Sequence, residues 1–386
     1  MKFIDEFRDG ELAAGLAAAI AREADIGRDY AFMEFCGGHT HAISRFGVTD
    51  LLPSNVHMIH GPGCPVCVLP IGRIDMAIRL ALDRPEVILC TYGDCLRIPA
   101  SDGLSMLKAR ARGADIRIVY SAADALTLAQ SHPRREIVFF AIGFETTTPP
   151  TALVLRATCE GRVRNFSVIC NHVLTPSAIS SILESPEVRR LGSVPLDGFV
   201  GPAHVSTVIG SRPYEFFAEE YRKPVVIAGF EPLDVMQAIR MLVRQVNEDR
   251  AEVENEFSRA VTRDGNLKAQ ALVADTFELR RSFEWRGLGE VPYSALRIRA
   301  GFADWDAEAR FGLTYVPVAD NKACECGAIL RGVKKPTDCR IFGTVCTPEN
   351  PMGSCMVSSE GACAAHYSYG RFRDVPLRAE AVESSP

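Results

Sequence analysis

The sequence predicts an α/β fold made of two parallel-sheet α/β domains and a small cysteine-rich domain. Short β-rich runs alternate with helical patterns through residues 27–231, an order that is typical of parallel sheets. Polar segments marked by glycine follow these runs. Six of the thirteen cysteines lie between Cys324 and Cys363, among Gly, Pro and Ser residues. Soft thiolates on loops that can bend are ligands of iron–sulfur clusters and of zinc, so this stretch predicts a domain organised by metal.

Composition restricts the class of protein. A chain of 386 residues is long enough for two or three domains, and 47% apolar with 24% charged residues is ordinary for a globular protein. The formal net charge of −5 gives no electrostatic argument for binding nucleic acid or an anionic membrane. No apolar run approaches the roughly 20 residues that span a bilayer.

The first predicted element is an amphipathic helix that contains Leu12–Ala21. Acidic residues, among them Asp5 and Asp9, precede it where a signal peptide would carry basic ones. We therefore expect a cytoplasmic protein. In that reducing compartment, thirteen cysteines indicate metal or redox chemistry rather than a disulfide framework.

The strands of the two sheets are predicted where β-branched and apolar runs end in a polar or glycine-rich loop. These runs are Val87–Leu89, Ile116–Tyr120, Ile137–Ile142, Ser167–Cys170, Gly198–Val200 and Val225–Ala228. Apolar residues at helical spacing predict the helices between and after them. These helices contain Ile74–Leu82, Ser177–Leu183 and Leu233–Val246.

The changes in pattern predict four segments. Residues 1–26 form an N-terminal helix that packs on the C-terminal domain, and residues 27–121 form the first α/β domain. Residues 122–231 form the second α/β domain. Residues 232–386 form a helical and cysteine-rich domain, whose composition changes beyond about Asp320.

Six unusual segments follow predicted strands. They are CGGHTH (36–41), GPGCPVC (61–67), TYGDCLRIP (91–99), GFETTTP (143–149), NHVLTP (171–176) and GPAHVS (201–206). In open α/β sheets, ligands and partners meet the loops at the carboxyl ends of the strands. We therefore expect these segments to line one cleft or one docking face.

Cys64 and Cys67 form a C-x-x-C pair upstream of a predicted helix that covers Ile71–Leu82. The amides and dipole of a helix N-terminus favour thiolate, so one thiol of the pair is expected to have a lowered pKa. The pair is a candidate redox dithiol or half of a metal site. The alternative is a turn with two partly buried cysteines.

Cys36, His39 and His41 place one thiol and two imidazoles within six residues. In an extended loop the two histidines would project to the same side, and an imidazolium would acidify Cys36. Cys and His together suit iron or zinc. Since three ligands rarely make a closed structural site, we expect transient metal binding that another protein completes. The alternative is a glycine-rich turn whose histidines bond to backbone carbonyls.

Several other polar residues at strand exits have two interpretations. Glu145 could orient a thiol or a partner, or it could cap a helix. His172 and His204 are read as structural histidines rather than as ligands. Cys95 is the doubtful case among four cysteines that otherwise suit a buried core position; the others are Cys90, Cys159 and Cys170.

The C-terminal stretch has more thiols than one cluster needs. Four ligands suffice for a [4Fe–4S] cluster. Cys339, Cys346 and Cys363 stand alone and are the simplest choices, and the fourth ligand is Cys324 or Cys326. The remaining member of that pair and Cys355 would then be a redox dithiol. Zinc competes, but its usual C-x₂₋₄-C knuckles do not occur in this stretch.

Taken together, these motifs resemble the HypD family of [NiFe]-hydrogenase maturation factors. The likeness extends over nearly the whole chain, and no motif cysteine departs from the family pattern. The segments that carry it are FMEFCGGHTHAI, GPGCPVC, GDCLRIP, GFETTTP, NHVLTP, GPAHVSTVIG and DCRIFGTVCTPENPMGSCMVSSEGACAA.

The resemblance implies an assembly scaffold with redox activity that works with the small protein HypC. Together they would hold the iron on which the Fe(CN)₂CO group is built, with cyanide arriving through HypE and, indirectly, HypF. By motif, Cys36 would bind this iron, and Cys64 and Cys67 would be redox thiols. His39 and His41 are expected to belong to the same site.

The resemblance also implies one [4Fe–4S] cluster, in surroundings similar to those of ferredoxin:thioredoxin reductase. It favours as ligands Cys324, Cys339, Cys346 and Cys363. Cys326 and Cys355 would be the neighbouring redox pair. The other functional hypotheses are a stand-alone [4Fe–4S] thiol–disulfide oxidoreductase and a zinc-stabilised interaction protein.

Overall fold

Two all-parallel β-sheets, each covered by helices, form the main body of the computed structural model, which describes residues 5–184 and 196–370. The predicted α/β class is confirmed. Parallel strands need crossover connections, and helices supply most of them here.

The first sheet has the strand order β2-β1-β7-β8-β9. Its strands are β1 (Tyr30–Glu34), β2 (Val56–His60), β7 (Gly198–Gly201), β8 (Val225–Ile227) and β9 (Val253–Asn255). The central strand β1 pairs on one side with β2, with Tyr30 opposite Val56, and on the other side with β7, with Phe32 opposite Gly198. This sheet therefore joins strands from distant parts of the sequence.

The second sheet has the strand order β4-β3-β5-β6, from strands that follow one another along the chain. They are β3 (Val87–Thr91), β4 (Ile116–Ile118), β5 (Glu136–Gly143) and β6 (Phe166–His172). All seven residues of β6 and the last seven of β5 are buried, which agrees with a parallel sheet covered on both faces.

Helices flank both sheets. The first part of the chain contributes α1 (Gly10–Glu23), α2 (Gly37–Phe46), α3 (Pro65–Val68), α4 (Ile71–Asp83), α5 (Met106–Ala111), α6 (Ala122–Ser131), α7 (Thr148–Glu160) and α8 (Thr175–Glu184). The later part contributes α9 (Ala203–Ile209), α10 (Glu215–Tyr221), α11 (Pro232–Asn247), α12 (Leu267–Thr276), α13 (Ala307–Arg310), α14 (Cys326–Leu330) and α15 (Ala362–Tyr369). Among the described residues, no helix combines the length and the apolarity that a membrane crossing needs.

Helix α1 packs against α11. Glu23 at the end of α1 accepts hydrogen bonds from Arg240 and Arg244 of α11, and Asp9 caps the start of α1 through the backbone amides of Glu11 and Leu12. The sequence expectation of an N-terminal helix is confirmed.

Antiparallel ribbons and short helical turns follow the sheets. Strand β10 (Phe277–Leu279) pairs with β13 (Leu296–Ile298), and β11 (Ser282–Trp285) pairs with β12 (Gly289–Pro292). The cysteine-rich stretch carries α14 and α15 and two single 3₁₀ turns, Pro336–Asp338 and Ser354–Met356.

The cysteine-rich stretch shares a hydrophobic core with one face of the second sheet. Leu89 of β3 and Phe140 of β5 belong to the same cluster of buried residues as Cys326, Cys355 and other cysteines of the stretch. Ile88 and Phe139, which alternate with them along the strands, face a different cluster on the opposite side of the sheet. The stretch therefore packs as an integral part of the body.

All six predicted strands and all the predicted helices exist, with ends shifted by a few residues. The sequence reading did not identify β1, β2 or β9. The limits 27–121, 122–231 and 232–386 stay predictions about separately folding units. The strand order shows, however, that residues 30–60 and 198–255 build one sheet and that residues 87–172 build the other. Residues 371–386 of the last segment lie outside the described residues.

Candidate thiol cleft and metal centre

Five of the six strand-exit segments line one cleft of about 440 Å³. Its lining includes Cys36, Gly63, Asp94, Thr146 and His204, one from each of five segments. Residues 358–360 of the cysteine-rich stretch complete the wall. The expectation of a single cleft is confirmed for these segments. The sixth segment, NHVLTP, is not part of the lining.

Cys36 is the N-cap residue of α2 and lines this cleft. Its backbone N–H donates to Glu34 Oε2 over 2.8 Å, and its side chain is buried. The backbone at Gly63 packs directly on it: a Cβ atom at position 63 would lie 2.5 Å from the carbonyl carbon of Phe35 and 2.8 Å from Cys36 Cα. Glycine at position 63 therefore allows the two loops to touch.

Burial raises the pKa of Cys36 to about 12, so the thiol is protonated at neutral pH. Burial also lowers the pKa of His39, which keeps that imidazole neutral. The expected acidification of Cys36 by an imidazolium is therefore wrong. Desolvation penalises both charged forms, and it outweighs the attraction that an ion pair would provide.

The segment CGGHTH does not form the extended loop that we expected, because residues from Gly37 onward belong to α2. Two positions along a helix are about 200° apart, so His39 and His41 point in different directions. The Phe230 ring packs against Gly38, where a Cβ atom would lie 2.7 Å from Cδ1 of that ring. This contact fixes the first turn of α2.

His39 Nε2 lies 3.1 Å from the carbonyl oxygen of Ala228 and 2.9 Å from that of Gly229. Since carbonyls only accept, Nε2 carries the hydrogen and Nδ1 keeps its lone pair. Nδ1 is buried and has no hydrogen-bond partner within residues 5–184 and 196–370. His39 is therefore bonded to backbone carbonyls, which is the alternative that the sequence left open for the histidines of this segment. His41 lies edge-on to Tyr369 of α15, with ring centroids 5.3 Å apart.

Cys64 and Cys67 lie on α3, with Cys64 as its N-cap and Pro65 at its first position. Cys64 Sγ accepts the backbone N–H of Cys67 over 3.3 Å. Burial raises the pKa of Cys67 well above its ordinary value, and hydrogen bonds with Cys355 and Cys64 add to this. The expected lowering of a thiol pKa at a helix terminus is therefore wrong for Cys67, because a single turn of helix offers little compensation for desolvation.

Residues 354–361 of the cysteine-rich stretch pack against Cys67. Ser354 Oγ donates to the carbonyl oxygen of Cys67 over 2.7 Å, and the Cys67 thiol donates to the carbonyl oxygen of Ser354 over 3.8 Å. A Cβ atom at Gly361 would lie 2.9 Å from Cys67 Sγ. The same segment reaches the cleft, where Glu360 packs so closely on Gly37 that a Cβ there would lie 2.6 Å from Glu360 Oε2.

Thiols form a continuous path through this region. Interactions with the thiols of Cys326, Cys363 and Cys67 lower the pKa of Cys355 well below its ordinary value. Cys326 also interacts with Cys324 and raises the pKa of that thiol. The path therefore leads from Cys324 through Cys326 and Cys355 to Cys67, whose backbone N–H donates to Cys64 Sγ.

The donor set of the cysteine-rich stretch fits a sulfur-ligated cluster. Five of its six cysteines are buried and Cys324 is half-buried. A Cβ atom at Gly353 would lie 2.6 Å from Cys326 Sγ and closer still to Cys324 Sγ. Because glycine has no Cβ atom, both thiols fit into the space beside it. Cys346 lies close enough for its charge to interact with both.

No three His, Cys, Asp or Glu side chains of the described residues are arranged to hold a metal ion. A cubane cluster binds one thiolate at each of four irons, so its ligands need not converge on one point. The division of the six thiols into four ligands and a redox pair stays a prediction.

Sequence reasoning missed Glu34 and His60. Glu34 is fully buried, and its carboxylate accepts hydrogen bonds from the Cys36 amide and the Thr40 hydroxyl. His60 Nδ1 lies 2.8 Å from Glu34 Oε1. Glu34 ends β1 two residues before Cys36, and His60 ends β2 directly before GPGCPVC. A carboxylate at the end of the apolar run YAFME was the available signal.

The structural interpretations of Glu145 and His172 agree with their surroundings. Glu145 accepts from the backbone N–H and the hydroxyl of Thr175 at the start of α8, and burial raises its pKa to about 7. His172 Nε2 lies 3.0 Å from Thr151 Oγ1. His204 differs, because it lines the cleft and packs on the Phe230 ring at 4.1 Å between centroids.

Cys90 and Cys170 are buried in the core of the second sheet, as expected. Cys95 is buried as well, and it lines the cleft. Cys159 is only partly buried.

Comparison with known proteins gives a consistent result. The HypD family model, described as "Hydrogenase formation hypA family", matches residues 11–370. The chain is 76% identical over 377 residues to the hydrogenase maturation factor HypD of Cupriavidus necator, covering 98% of this chain and 99% of that protein. It is 70% identical over 374 residues to HypD2 of Bradyrhizobium diazoefficiens, covering 97% and 98%. It is 46% identical over 374 residues to HypD of Escherichia coli, covering 96% and 98%.

Proposed function

This chain belongs to the HypD family of hydrogenase maturation factors, and from that premise we propose that it is the cytoplasmic scaffold and redox protein on which the Fe(CN)₂CO group is assembled. The observation that carries the proposal is that Cys36 shares one cleft with Pro65 and Val66 of the C-x-x-C motif and with residues 358–360 of the cysteine-rich stretch. The cysteine-rich stretch also contacts Cys67 through Ser354.

The cargo of the cleft is an iron ion that Cys36 binds through sulfur. Thiolate is a soft donor that suits electron-rich iron with cyanide and carbonyl ligands. Because the resting thiol is protonated, iron binding releases its proton. Glu34 holds the backbone of Cys36, so the sulfur is presented from a fixed position. Of the two histidines, the proposal assigns His39 to this site through its free Nδ1 lone pair, since His41 points in another direction on α2 and packs on Tyr369.

The resident cofactor is a [4Fe–4S] cluster, with the ligands Cys324, Cys339, Cys346 and Cys363. When bound, it would supply electrons of low potential one at a time. The chain's own thiols would carry these electrons two at a time, by thiol–disulfide exchange. The reduced thiols of Cys326 and Cys355 attack the Cys64–Cys67 disulfide, which forms a Cys326–Cys355 disulfide and restores the two thiols of Cys64 and Cys67. Cys67 Sγ and the carbonyl carbon of Cys355 would each lie 2.9 Å from a Cβ atom at Gly361, and this proximity supports the exchange.

The partners of the scaffold are HypC, which shares the iron, and HypE, which delivers cyanide made with HypF. An open cleft supports this, because one thiol and the few polar groups around it leave coordination positions for a second protein. The incomplete shell at Cys36 distinguishes this function from a stand-alone [4Fe–4S] thiol–disulfide oxidoreductase, which needs no open iron site. The contact between Cys67 and Cys355 is compatible with either.

Infrared spectroscopy of the anaerobic complex with co-expressed HypC tests the proposal. We expect iron–cyanide and iron–carbonyl bands in the wild-type complex. Cys36→Ala should abolish these bands while the visible absorbance of the cluster remains. The matched control is Cys159→Ala, a partly buried cysteine outside the cleft, which should retain both signals.

Three results would contradict the proposal. Bands that persist in the Cys36→Ala complex would remove Cys36 as the iron ligand. A wild-type protein without visible absorbance, purified anaerobically with zinc bound, would remove the cluster and favour the zinc-stabilised interaction protein. Failure to co-purify with HypC, with the cluster present, would favour the stand-alone oxidoreductase.

A further inference from the structure

The turn between β11 and β12 lies between the C-x-x-C helix and the cysteine-rich stretch. The backbone N–H of Arg286 donates to the carbonyl oxygen of Val68, the residue after Cys67, over 2.7 Å. The next residue, Gly287, meets Gly327 of α14 backbone to backbone, and a Cβ at position 287 would lie 2.8 Å from Gly327 Cα. This turn therefore places Arg286 between the two groups of thiols.

The side chain of Arg286 is almost completely buried, with 4% of the residue exposed. Nε donates to Asp320 Oδ1 over 2.6 Å, and Asp320 is itself 36% exposed. Nη1 is buried and has no hydrogen-bond partner in the part of the chain that the structure describes. A buried guanidinium N–H without an acceptor costs free energy, so its retention points to an acceptor that the polypeptide does not itself provide.

Arg286 lies against the cysteine-rich stretch. The residue after it, Gly287, packs on Gly327, and Gly327 directly follows Cys326. Cys324 is a half-buried thiol that shares a pocket beside Gly353 with Cys326. Arg286 is thus the buried cation associated with this end of the thiol path.

We infer that Arg286 acts through the sulfur ligands of the proposed cluster, offering its free Nη1–H and its charge to them and raising the reduction potential of the cluster. This inference rests on the proposed function, since it requires the cluster. Net charge and hydrogen bonds to the sulfurs are among the factors that set the potential of an iron–sulfur cluster. The reduced cluster carries one more negative charge than the oxidised one, so a buried cation favours the reduced form.

The role of Asp320 follows from the same geometry. Its carboxylate partly neutralises Arg286 from the side that faces solvent. Removing the carboxylate leaves the guanidinium charge uncompensated. The two side chains should therefore shift the potential in opposite directions, and this sign change separates an electrostatic role from a merely structural one.

The test is an anaerobic potentiometric titration of the reconstituted protein, with dithionite as the reductant and with visible absorbance and electron paramagnetic resonance as the readouts. Arg286→Gln should lower the midpoint potential by at least about 59 mV, a tenfold change for one electron. Asp320→Asn should raise it, and Arg286→Lys should stay closer to the wild type than Arg286→Gln. Arg281→Gln, at an exposed position of the same ribbon, should leave it unchanged.

An unchanged potential in a cluster-loaded Arg286→Gln protein would overturn the inference and leave the proposed function standing. A wild-type protein that takes up no cluster would overturn both. If Arg286→Gln does not fold, the comparison of Asp320→Asn with the wild type decides, and a potential that stays constant or falls in Asp320→Asn overturns the inference.

Discussion

Burial controls the protonation of the chemical groups around the cleft. It raises the pKa of Cys36 to about 12 and of Cys95 to about 12, and it lowers the pKa values of His39 and His204. Each group is therefore held in its neutral form at neutral pH. Binding of the proposed iron to Cys36 therefore requires the thiol to lose its proton, so iron occupancy should increase with pH.

His172 allows the effect of burial to be measured away from the cleft. Burial lowers the pKa of this imidazole to about 4, whereas an unfolded histidine has a pKa of about 6.5. Between these values the unfolded chain binds more protons than the folded one. The stability contributed by neutral His172 is thus complete above about pH 6.5 and is lost as the pH falls through the folded pKa, by about 3 kcal/mol.

We predict that His172→Gln flattens the acid side of the stability curve by about this amount between pH 7 and pH 4, while it keeps a polar group near Thr151. Urea unfolding at a series of pH values measures this. His57→Gln, at an exposed position on β2, is the control and should follow the wild type. A His172→Gln curve as steep as that of the wild type would contradict the prediction.

Individual residues differed in how far the sequence could place them. Cys36, Cys64 and Cys67 could be singled out from the sequence, because Cys36 and Cys64 lie next to glycine and Cys67 completes a C-x-x-C pair. The different directions of the His39 and His41 side chains could not be predicted, because they depend on where α2 begins. The partnership of Glu34 with His60 depends on the register of β1 and β2, which pairs these two residues directly and which composition does not reveal.

At the scale of elements, the cleft depends on backbone contact between the loop after β1 and the loop after β2. Gly63 lies so close to Phe35 and Cys36 that any Cβ atom there meets backbone atoms, which cannot move aside as a flexible side chain can. The distance between Cys36 and the C-x-x-C helix is therefore set by the absence of one side chain.

We predict that Gly63→Ala lowers the free energy of unfolding by about 1–3 kcal/mol, the usual cost of overpacking. The strain should also separate the two loops and weaken iron binding at Cys36. Urea unfolding and iron retention after anaerobic gel filtration measure the two effects.

Gly93→Ala is the matched control for this prediction. Gly93 lines the same cleft, but a Cβ atom there would meet nothing nearer than Ile118 Cγ2 at 3.9 Å. The control should unfold within about 0.5 kcal/mol of the wild type. If the two substitutions lowered the free energy of unfolding equally, the backbone contact at Gly63 would not be the cause of the destabilisation.

Strands were predictable where apolar runs were long or β-branched, as in β5 and β6. Strand β1 was missed although all five of its residues are buried, because its partners come from two remote segments. Strand β9 has only half-buried residues and lies at the edge of its sheet, so its sequence VEN carries little hydrophobic signal. Pairing with remote partners, rather than local propensity, decides such strands.

At the scale of the whole molecule, the chain leaves the first sheet after β2, builds the second sheet and then returns. The α/β class followed from the alternation of elements. The grouping of the strands into two sheets could not be predicted in this way, because no local sequence pattern indicates that β1 lies beside β7. The cysteine-rich stretch likewise looked like a separate domain by composition, but its apolar residues complete the core of the second sheet.

This arrangement predicts that a chain ending at residue 184 does not fold. It would lack β7, and it would lack α11, whose buried Val235, Ile239 and Leu242 cover one face of the first sheet. The second sheet would lose Trp285 and the buried cysteines from its core. Urea unfolding followed by circular dichroism should show no cooperative transition for this fragment.

Mixing the fragment with residues 196–386 is the complementary arm of the experiment and should restore part of the transition. A monomeric fragment of residues 1–184 with a single sharp transition would contradict the prediction. It would mean that each sheet is stable without the remote segments that pack against it.

The pairing of β1 with β7 also has a consequence during synthesis. Residues 30–34 leave the ribosome long before residues 198–200 are made, and at ordinary rates of translation the delay is roughly 10 to 30 s. Throughout that time the nascent chain carries an apolar strand with an open edge, which is a template for aggregation. We therefore expect the yield of folded protein in a cell to depend on chaperones that shield this segment, more than its final stability would suggest.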